Sequence, residues 1–330
     1  MASDAASTDS PTSDSPRADY APEGTDARPS LLATLKRTFT EFSEDNMTDW
    51  AAALTYYGLL SLFPALIALV SIIGLVADPA TVTQKVTQIV SSLGPSSAAQ
   101  TFAGPIKSIT SNKSAAGILL IVSLAAALWS ASGYVGAFMR AANIIYETPE
   151  GRPIWKLRPL QMLVTLVMIL LMAVIALALV LSGPLVKIVA DPLGVGSTAV
   201  DVWNYGKWPV LILLVITMFS VLYYAAPNVK LRGFKWVTPG VVLALVVWLL
   251  ASVGFAFYVA NFGSYDKTYG TLGGFVVFLM WMWITNVSLL LGMEVNAERE
   301  RARELAAGDT RAEKEIQLEP RDEPKDQKTT

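Results

Sequence analysis

The sequence has 330 residues, of which 53% are hydrophobic and only 16% are charged, with a formal net charge of −2. Soluble domains are about one quarter charged, so this composition indicates a membrane protein. The chain contains no cysteine and no histidine, which excludes disulfides, thiolate chemistry and metal sites built on those two residues.

The N-terminal region divides into two segments of different composition. Residues 1–30 are rich in Ser, Asp, Ala and Pro, which predicts a disordered tail. No apolar stretch follows the start, so a signal peptide is not expected. Over residues 31–49, apolar side chains recur at helical spacing beside Lys36 and Arg37. This pattern predicts an amphipathic helix on the membrane surface.

Six stretches of at least 22 residues contain no Asp, Glu, Lys or Arg. About 20 helical residues span the roughly 30 Å of a bilayer core, and lipid requires every backbone polar group to be bonded internally. The sequence therefore predicts an all-α polytopic membrane protein, a bundle of six transmembrane helices at about residues 50–77, 114–139, 159–186, 208–229, 236–262 and 268–293.

The basic residues of the connections indicate how these helices are oriented. Nineteen Lys and Arg residues lie in the two tails and the second and fourth connections, and six lie in the other three. Both termini are therefore expected in the cytoplasm. The last helix is predicted to continue over residues 294–307, and the charged residues 308–330 are predicted to be disordered. The first outer connection, of about 36 residues, is predicted to form short helices that act either as a cover or as a lid.

The first predicted span carries three candidate polar-pathway residues, Tyr57, Ser61 and Pro64. Tyr57 and Ser61 share one helix face near the cytoplasmic side, where membership of an aromatic belt is the favoured interpretation of the tyrosine. Pro64 removes one backbone hydrogen bond. That loss either exposes backbone groups to a substrate, as in broken transporter helices, or serves packing alone.

The second predicted span contains Ser130 and ends near Arg140, Asn143 and Glu147. The last three are spaced i, i+3 and i+7, which predicts one helix face at the bilayer surface. Such a cluster could bind an anionic headgroup or a polar solute. A structural ion pair with a neighbouring helix fits the spacing equally well.

The shortest outer connection and the last span supply the remaining candidates. Four glycines surround the polar residues of this connection, which favours a hairpin corner over the wall of an outward-facing site. In the last span, Asn286 lies at mid-membrane depth, where an amide usually bonds to another helix, and Glu294 lies at the far end. No carboxylate lies at the centre of a predicted span, which argues against a proton relay through the core. The candidates in the connection are Asn261, Tyr265, Asp266, Lys267 and Tyr269.

Three segments resemble the YihY/BrkB family of bacterial inner-membrane proteins, which is also described as ribonuclease BN-like. They are AALTYYGLLSLFPALIALVSIIGLV, WSASGYVGAFMRAANIIYETPEGRPIWKLR and the stretch from YYAAPNVKLRGFKWVTPG to GMEVNAERER. The resemblance runs from about Trp50 to Arg301 and implies six helices in a bacterial cytoplasmic membrane. It carries over the positions Pro64, Ser130, Asn143, Arg152, Pro153, Pro227, Gly240, Asn261, Tyr265, Lys267, Tyr269, Gly270, Gly292 and Glu294. It implies no single activity, because the family has been described as virulence-related, as a transporter and as a ribonuclease.

These observations predict a transporter or exporter of a small solute or an envelope lipid; the alternative is a structural or assembly factor of the cell envelope. Enzyme activity is not expected, because metal-dependent nucleases need clustered histidines or carboxylates. The expected partners are membrane lipids and the solute or lipid substrate, without nucleic acid, cofactor or metal. The sequence leaves a homo-oligomer open.

Overall fold

A computed structural model describes residues 31–76, 113–180, 197–262 and 271–324 of the protein. These residues contain no β-strand, only an isolated bridge between Val229 and Pro320, so the predicted all-α fold is confirmed. The described elements are α1 (Leu31–Glu44), α2 (Met47–Val76), α3 (Lys113–Ile145), α4 (Ile154–Val180), α5 (Ser197–Ala225), α6 (Pro239–Phe262), α7 (Thr271–Ala306) and a short 3₁₀ helix (Thr310–Glu313).

Four stretches of the described helices are long and apolar enough to cross a membrane: Ile154–Ile175, Val202–Ala225, Pro239–Ala260 and Gly273–Ala306. Their outward faces carry large exposed apolar side chains, among them Leu170 of α4, Leu213 of α5 and Leu250 of α6. Apolar surface of this extent is stable against lipid rather than water. The bundle is therefore that of a membrane protein.

The described helices differ from the predicted spans mainly at their ends. α5 begins at Ser197, well before the predicted position 208, and ends at Ala225 rather than 229. The earlier end has a local cause, because Pro227 disfavours helical backbone in the residue before it. Prolines inside the helices do not end them: α2 continues through Pro64, and Pro209 lies within α5.

α7 is the central helix of the described bundle and contacts α1, α2, α3 and α6. α4 packs between α3 and α5. α6 and α7 run antiparallel, and their backbones are in close contact where Gly240 faces Gly292. A Cβ atom on either glycine would overlap the carbonyl oxygen of the other, so only glycine allows this backbone contact.

One end of the bundle, here called the polar end, carries most of the described charged side chains. It consists of α1, residues 146–153 between α3 and α4, residues 226–238 between α5 and α6, the last turns of α7 and residues 308–324, here called the C-terminal segment. α1 falls within the segment predicted as an amphipathic helix, and α7 continues to Ala306, past the predicted span.

The C-terminal segment differs from the disorder that its composition predicts. Ala312 and Ile316 are buried. The backbone N–H of Ile316 donates to Glu147 Oε2 at 2.7 Å, and that of Arg321 donates to the Asn228 carbonyl oxygen at 2.9 Å. A composition poor in apolar residues predicts little hydrophobic burial. It does not reveal hydrogen bonds to groups that are brought together only in the folded bundle.

Several predictions fall on residues outside the described ranges. These are the N-terminal tail (1–30), the first outer connection with its predicted cover or lid, and the last six residues. They stay predictions.

Candidate functional site

The predicted cluster of Arg140, Asn143 and Glu147 is not formed on one helix face, because α3 ends at Ile145. Glu147 follows with a left-handed φ of 48°, which takes it out of the helical register. Arg140 instead lies over the ring of Tyr57, 5.8 Å from its centroid. The three side chains therefore have separate partners.

Glu147 belongs to a buried ion-pair network around Arg301, which is only 2% exposed. The Arg301 Nη2 donates to Glu147 Oε1 at 2.7 Å, its Nε donates to Glu298 Oε1 at 2.8 Å, and its Nη1 donates to the Ala312 carbonyl oxygen at 3.1 Å. Glu298 also pairs with Arg37 of α1, at 3.1 Å between Nε and Oε2. A buried guanidinium requires such partners, and they join α1, α7 and the C-terminal segment.

Asn143 belongs to a second network that joins the ends of α3 and α5. Its Oδ1 accepts from the Asn228 backbone N–H at 2.8 Å, and its Nδ2 donates to Glu150 Oε2 at 2.9 Å. Arg152 donates to both carboxylate oxygens of Glu150, each at 2.7 Å, and to the Ala226 carbonyl oxygen at 2.9 Å. Burial alone would raise the pKa of Glu150, but the hydrogen bonds and charge of Arg152 outweigh it and hold that pKa below its usual value.

The hydroxyls of Ser61 and Ser130 are both bonded to backbone. Ser61 Oγ donates to the Gly58 carbonyl oxygen at 2.7 Å, within α2. Ser130 Oγ donates to the Leu60 carbonyl oxygen at 3.3 Å and so connects α3 to α2. Only the second contact connects two helices, and both hydroxyl hydrogens are donated to backbone rather than left for a substrate.

Asn286 connects three helices in the middle of the bundle. Its Oδ1 accepts from the Tyr134 hydroxyl of α3 at 2.8 Å, and its Nδ2 donates to Thr55 Oγ1 of α2 at 3.1 Å. The sequence predicts that an amide at this depth forms hydrogen bonds to other helices, and Asn286 does so with α3 and α2.

Other predicted candidates have only their backbone described or lie outside the described ranges. Pro64 lies in the second half of α2, and Asn261 lies in the last turn of α6. The hairpin corner between α6 and α7 stays a prediction. Its residues outside the described ranges are Tyr265, Asp266, Lys267 and Tyr269.

Glu294 is 1% exposed, and its Oε2 has no hydrogen-bond partner in the described part of the chain. The carboxylates of Asp45 and Glu298 lie within electrostatic range of it. Partial burial, reinforced by the neighbouring carboxylates of Glu41 and Glu147, raises the pKa of Asp45 to about 6. Across the four described ranges, no three acidic side chains are close enough to hold a metal ion.

A cavity of about 250 Å³ lies at the polar end, between the end of α5, the start of α6 and the last turns of α7. Its charged wall residues leave an excess of three positive charges, because four are cationic and one is a carboxylate. We call this cavity the basic pocket. Its charged residues are Arg232, Lys235, Arg299, Glu300 and Arg303.

Glu300 neutralises part of the charge of the basic pocket. Its Oε1 lies 3.1 Å from Arg232 Nε, and its Oε2 accepts from Arg303 Nη1. Lys235 and Arg299 are both exposed, and among the described residues neither side chain makes an ion pair or a hydrogen bond. Two of the four cations are therefore available to a ligand.

The start of α6 forms the uncharged wall of the basic pocket. The Val241 backbone N–H donates to Thr238 Oγ1 at 3.2 Å, which caps the helix. Asn296 of α7 donates to the same oxygen at 2.9 Å and accepts from the Gly240 backbone N–H at 3.0 Å. Because these N–H groups are occupied, α6 contributes the positive potential of its N-terminus rather than free donors.

Exposed aromatic rings flank the basic pocket. Phe234 stacks edge-on against Tyr224 and Trp236, with ring centroids 5.5 and 5.6 Å apart. Phe234 and Trp236 are 40% and 56% exposed. Aromatic side chains of this kind are typical of the headgroup level of a bilayer.

The sequence did not predict the basic pocket, because the basic residues of the fourth connection (Lys230, Arg232 and Lys235) were used only to orient the helices. A signal was available, because these cations alternate with Phe234 and Trp236 over residues 230–236. The spacing of Arg299 and Arg303, i and i+4 on α7, also indicates one shared face. What the sequence could not show is that the two segments meet.

Comparison with known proteins identifies the family. The family described as "Virulence factor BrkB" matches residues 38–317. The ribonuclease-like protein YfkH of Bacillus subtilis is 31% identical over 274 residues, which cover 83% of this chain and 98% of YfkH. A UPF0761 membrane protein of Kangiella koreensis is 27% identical, over 80% of this chain and 63% of its own length. A UPF0761 membrane protein of Alteromonas mediterranea is 26% identical, over 76% of this chain and 82% of its own length. No solved structure matches the chain. The match takes in half of α1, the whole of α2 to α7 and most of the C-terminal segment. The chain is a membrane protein that belongs to the BrkB family.

Proposed function

We propose that the protein spans the bacterial cytoplasmic membrane six times, with both termini in the cytoplasm. The distribution of nineteen Lys and Arg residues against six supports this orientation. The described polar end holds the basic connections and the C-terminal segment together on one side of the bundle. In this orientation the polar end faces the cytoplasm.

We further propose that the protein transports a small solute or an envelope lipid, and that the basic pocket is its cytoplasmic binding site. The observation that carries the proposal is the cavity of about 250 Å³ with three excess positive charges at the junction of α5, α6 and α7. Ligand sites in membrane bundles are typically built between helices, from a few convergent polar groups. Lys235 and Arg299 supply such groups without a competing partner in the described ranges.

A flux assay with the purified protein in liposomes tests transport. The panel should include anionic solutes and fluorescent lipids, with protein-free liposomes as the baseline. We expect flux above that baseline for at least one anionic compound, reduced at least tenfold by Lys235→Gln combined with Arg299→Gln. Baseline flux across the whole panel would reject transport.

The second candidate function is that of a structural or assembly factor of the envelope. It is favoured by the two ion-pair networks, which connect α1, α3, α5, α7 and the C-terminal segment and so stabilise a single arrangement of the polar end. Stable co-purifying envelope proteins together with the absence of flux would favour this candidate over transport.

We propose no ribonuclease activity, although the name of YfkH includes "ribonuclease-like". The chain has no histidine to act as a general base near neutral pH. Glu147, the carboxylate of the predicted polar cluster, is paired with Arg301. Hydrolysis of RNA by contaminant-free protein, abolished by Glu147→Gln, would contradict this proposal.

A further inference from the structure

We propose that the basic pocket binds a phosphate group, so that the transported class is a phosphate-bearing solute or lipid. This inference rests on the proposed function and adds the chemistry of the ligand. It follows from four features of the pocket: its charge balance, its neutral wall, its size and its aromatic flank.

The charge balance selects an anion. Four cationic side chains face one carboxylate in a cavity of about 250 Å³. A multiply charged anion with several acceptor oxygens satisfies more than one cation at once, which a singly charged carboxylate does less well. Lys235 and Arg299, without ion pairs in the described part of the chain, are its first contacts.

Glu300 is an internal counter-ion that a phosphate would partly replace. It is buried, at 7% exposure, and holds Arg232 and Arg303 from opposite oxygens. Its Oε1 has an ion pair with Arg232 but no hydrogen bond among the described residues, so that pair is imperfect. The Arg232 side chain is 68% exposed, which leaves it room to turn from Glu300 to a ligand.

The neutral wall favours an acceptor-rich ligand as well. Thr238 Oγ1 accepts from Asn296 and from the Val241 N–H, so its own hydroxyl hydrogen remains to be donated. The N-terminus of α6, a helix of 24 residues, lies in the same wall and adds positive potential. Side chains and this potential together favour a phosphate over an uncharged solute.

Size and depth complete the inference. The cavity is smaller than the roughly 300–1,000 Å³ of pockets that enclose drug-sized ligands, so it suits one phosphate group and a short ester rather than a whole nucleotide. The exposed rings of Phe234 and Trp236 place its flank at headgroup level. Basic pockets between helices at that level are known to bind anionic lipid headgroups.

The test is a binding titration of the detergent-solubilised full chain, in two arms. One arm uses inorganic phosphate, and the other uses phosphatidic acid in uncharged micelles, with diacylglycerol as the lipid lacking phosphate. We expect saturable binding of at least one phosphate probe and none of diacylglycerol. Phosphatidic acid binding more tightly identifies a lipid source, and equal or tighter inorganic phosphate binding identifies a soluble one.

Variants locate the site. Lys235→Gln combined with Arg299→Gln should weaken binding at least tenfold, and Glu300→Gln should tighten it severalfold because Arg232 and Arg303 are released. Lys314→Gln removes an exposed charge from the same end of the molecule, outside the pocket, and should bind like the wild type. Should the double variant fail to fold, Lys235→Gln alone should show a severalfold loss.

No binding of either phosphate probe would overturn the inference. So would equal binding by the wild type and the double variant, or weaker binding by Glu300→Gln. Because binding rather than flux is measured, the two proposals fail separately. A protein that binds phosphate at this site but transports nothing would refute transport and leave the binding site in place.

Discussion

Arg301 is the largest side chain that is almost fully buried in the described part of the chain, and it carries a charge. Replacing it with glutamine keeps most of its volume but leaves Glu298 and Glu147 without their cation. Breaking a buried pair in this way typically costs about 3–5 kcal/mol. We therefore expect Arg301→Gln to lower the free energy of unfolding by that amount, measured by thermal unfolding in detergent.

Arg311 is the matched control for Arg301. It also pairs with a carboxylate, that of Asp309 at 2.8 Å, but its side chain is 74% exposed. Exposed pairs contribute little because water and salt screen them. Arg311→Gln should leave the melting temperature unchanged, and an equal loss in both variants would contradict the structural role of the Arg301 network.

Asp45 makes the stability of the polar end depend on pH. Its folded pKa of about 6 lies above the ordinary aspartate value of 3.8, so the folded state binds more protons between these values. The contribution of Asp45 to the free energy of unfolding should therefore fall as pH rises from about 4 to about 6 and stay level above that. Asp45→Asn should remove this contribution, so that the fall between pH 4 and pH 6 is smaller than in the wild type, and the variant should be more stable than the wild type at pH 7, by at most about 1 kcal/mol once solvent screening is allowed for.

Thermal unfolding from pH 4 to pH 8 measures this effect. Glu315→Gln removes an exposed carboxylate of the C-terminal segment and serves as the control, with the pH profile of the wild type expected. A profile of Asp45→Asn that matches the wild type would show that another group is responsible.

The sequence predicted the kind of contact that some candidate residues make, but not the residues that they contact. Asn286 was expected to bond to other helices, and Tyr134 and Thr55 are its partners. Glu147 was assigned to the face of Arg140, because helical spacing assumes that the helix continues. Glu147, the left-handed residue that ends this register at φ 48°, instead pairs with Arg301, which is 154 positions away in sequence.

The contact of α6 with α7 depends on two glycines. Gly240→Ala should force the helices apart, because the added Cβ meets the Gly292 carbonyl oxygen, which is backbone and cannot turn aside. Overpacking of this kind costs about 1–3 kcal/mol or more. Gly254→Ala is the control on the same helix, since its Cβ would meet nothing within 4 Å. Thermal unfolding should show a loss for the first variant only, and equal effects would contradict the close contact.

The C-terminal segment should protect the polar end. Removing residues 308–330 deletes the Ala312 carbonyl oxygen that binds Arg301 and the Ile316 N–H that binds Glu147. Hydrogen exchange should then become faster at residues 143–147 and 226–231. Removing only residues 325–330, which lie outside the described ranges, should leave exchange unchanged. Identical exchange in both truncations would show that the segment does not pack on the bundle.

The helices themselves were largely predictable, because a long stretch of sequence without charged residues strongly indicates a helix in lipid. α7 was expected to continue past the membrane, and it reaches Ala306. Ends and loops were less predictable, since the end of α5 depends on Pro227 and the C-terminal segment depends on partners distant in sequence. The basic pocket likewise depends on residues distant in sequence, because it forms only where residues 231–238 meet the last turns of α7.

At the scale of the whole molecule, lipid as solvent explains the apolar sequence of the helices, and the proposed orientation puts the polar end in the cytoplasm. Apolar faces on α4, α5 and α6 are exposed in the bundle, and most of the described charged side chains lie at the polar end. The function proposed here makes the basic pocket a cytoplasmic binding site, so the pocket must open to the cytoplasm.

Labelling of Lys235→Cys with a membrane-impermeant maleimide tests this requirement most directly, because the chain has no cysteine of its own. Lys235 is exposed and lines the basic pocket, so the new thiol reports the side to which the pocket opens. We predict labelling in inverted membrane vesicles and none in intact spheroplasts. Labelling in intact spheroplasts would place the pocket on the outer face and contradict the account.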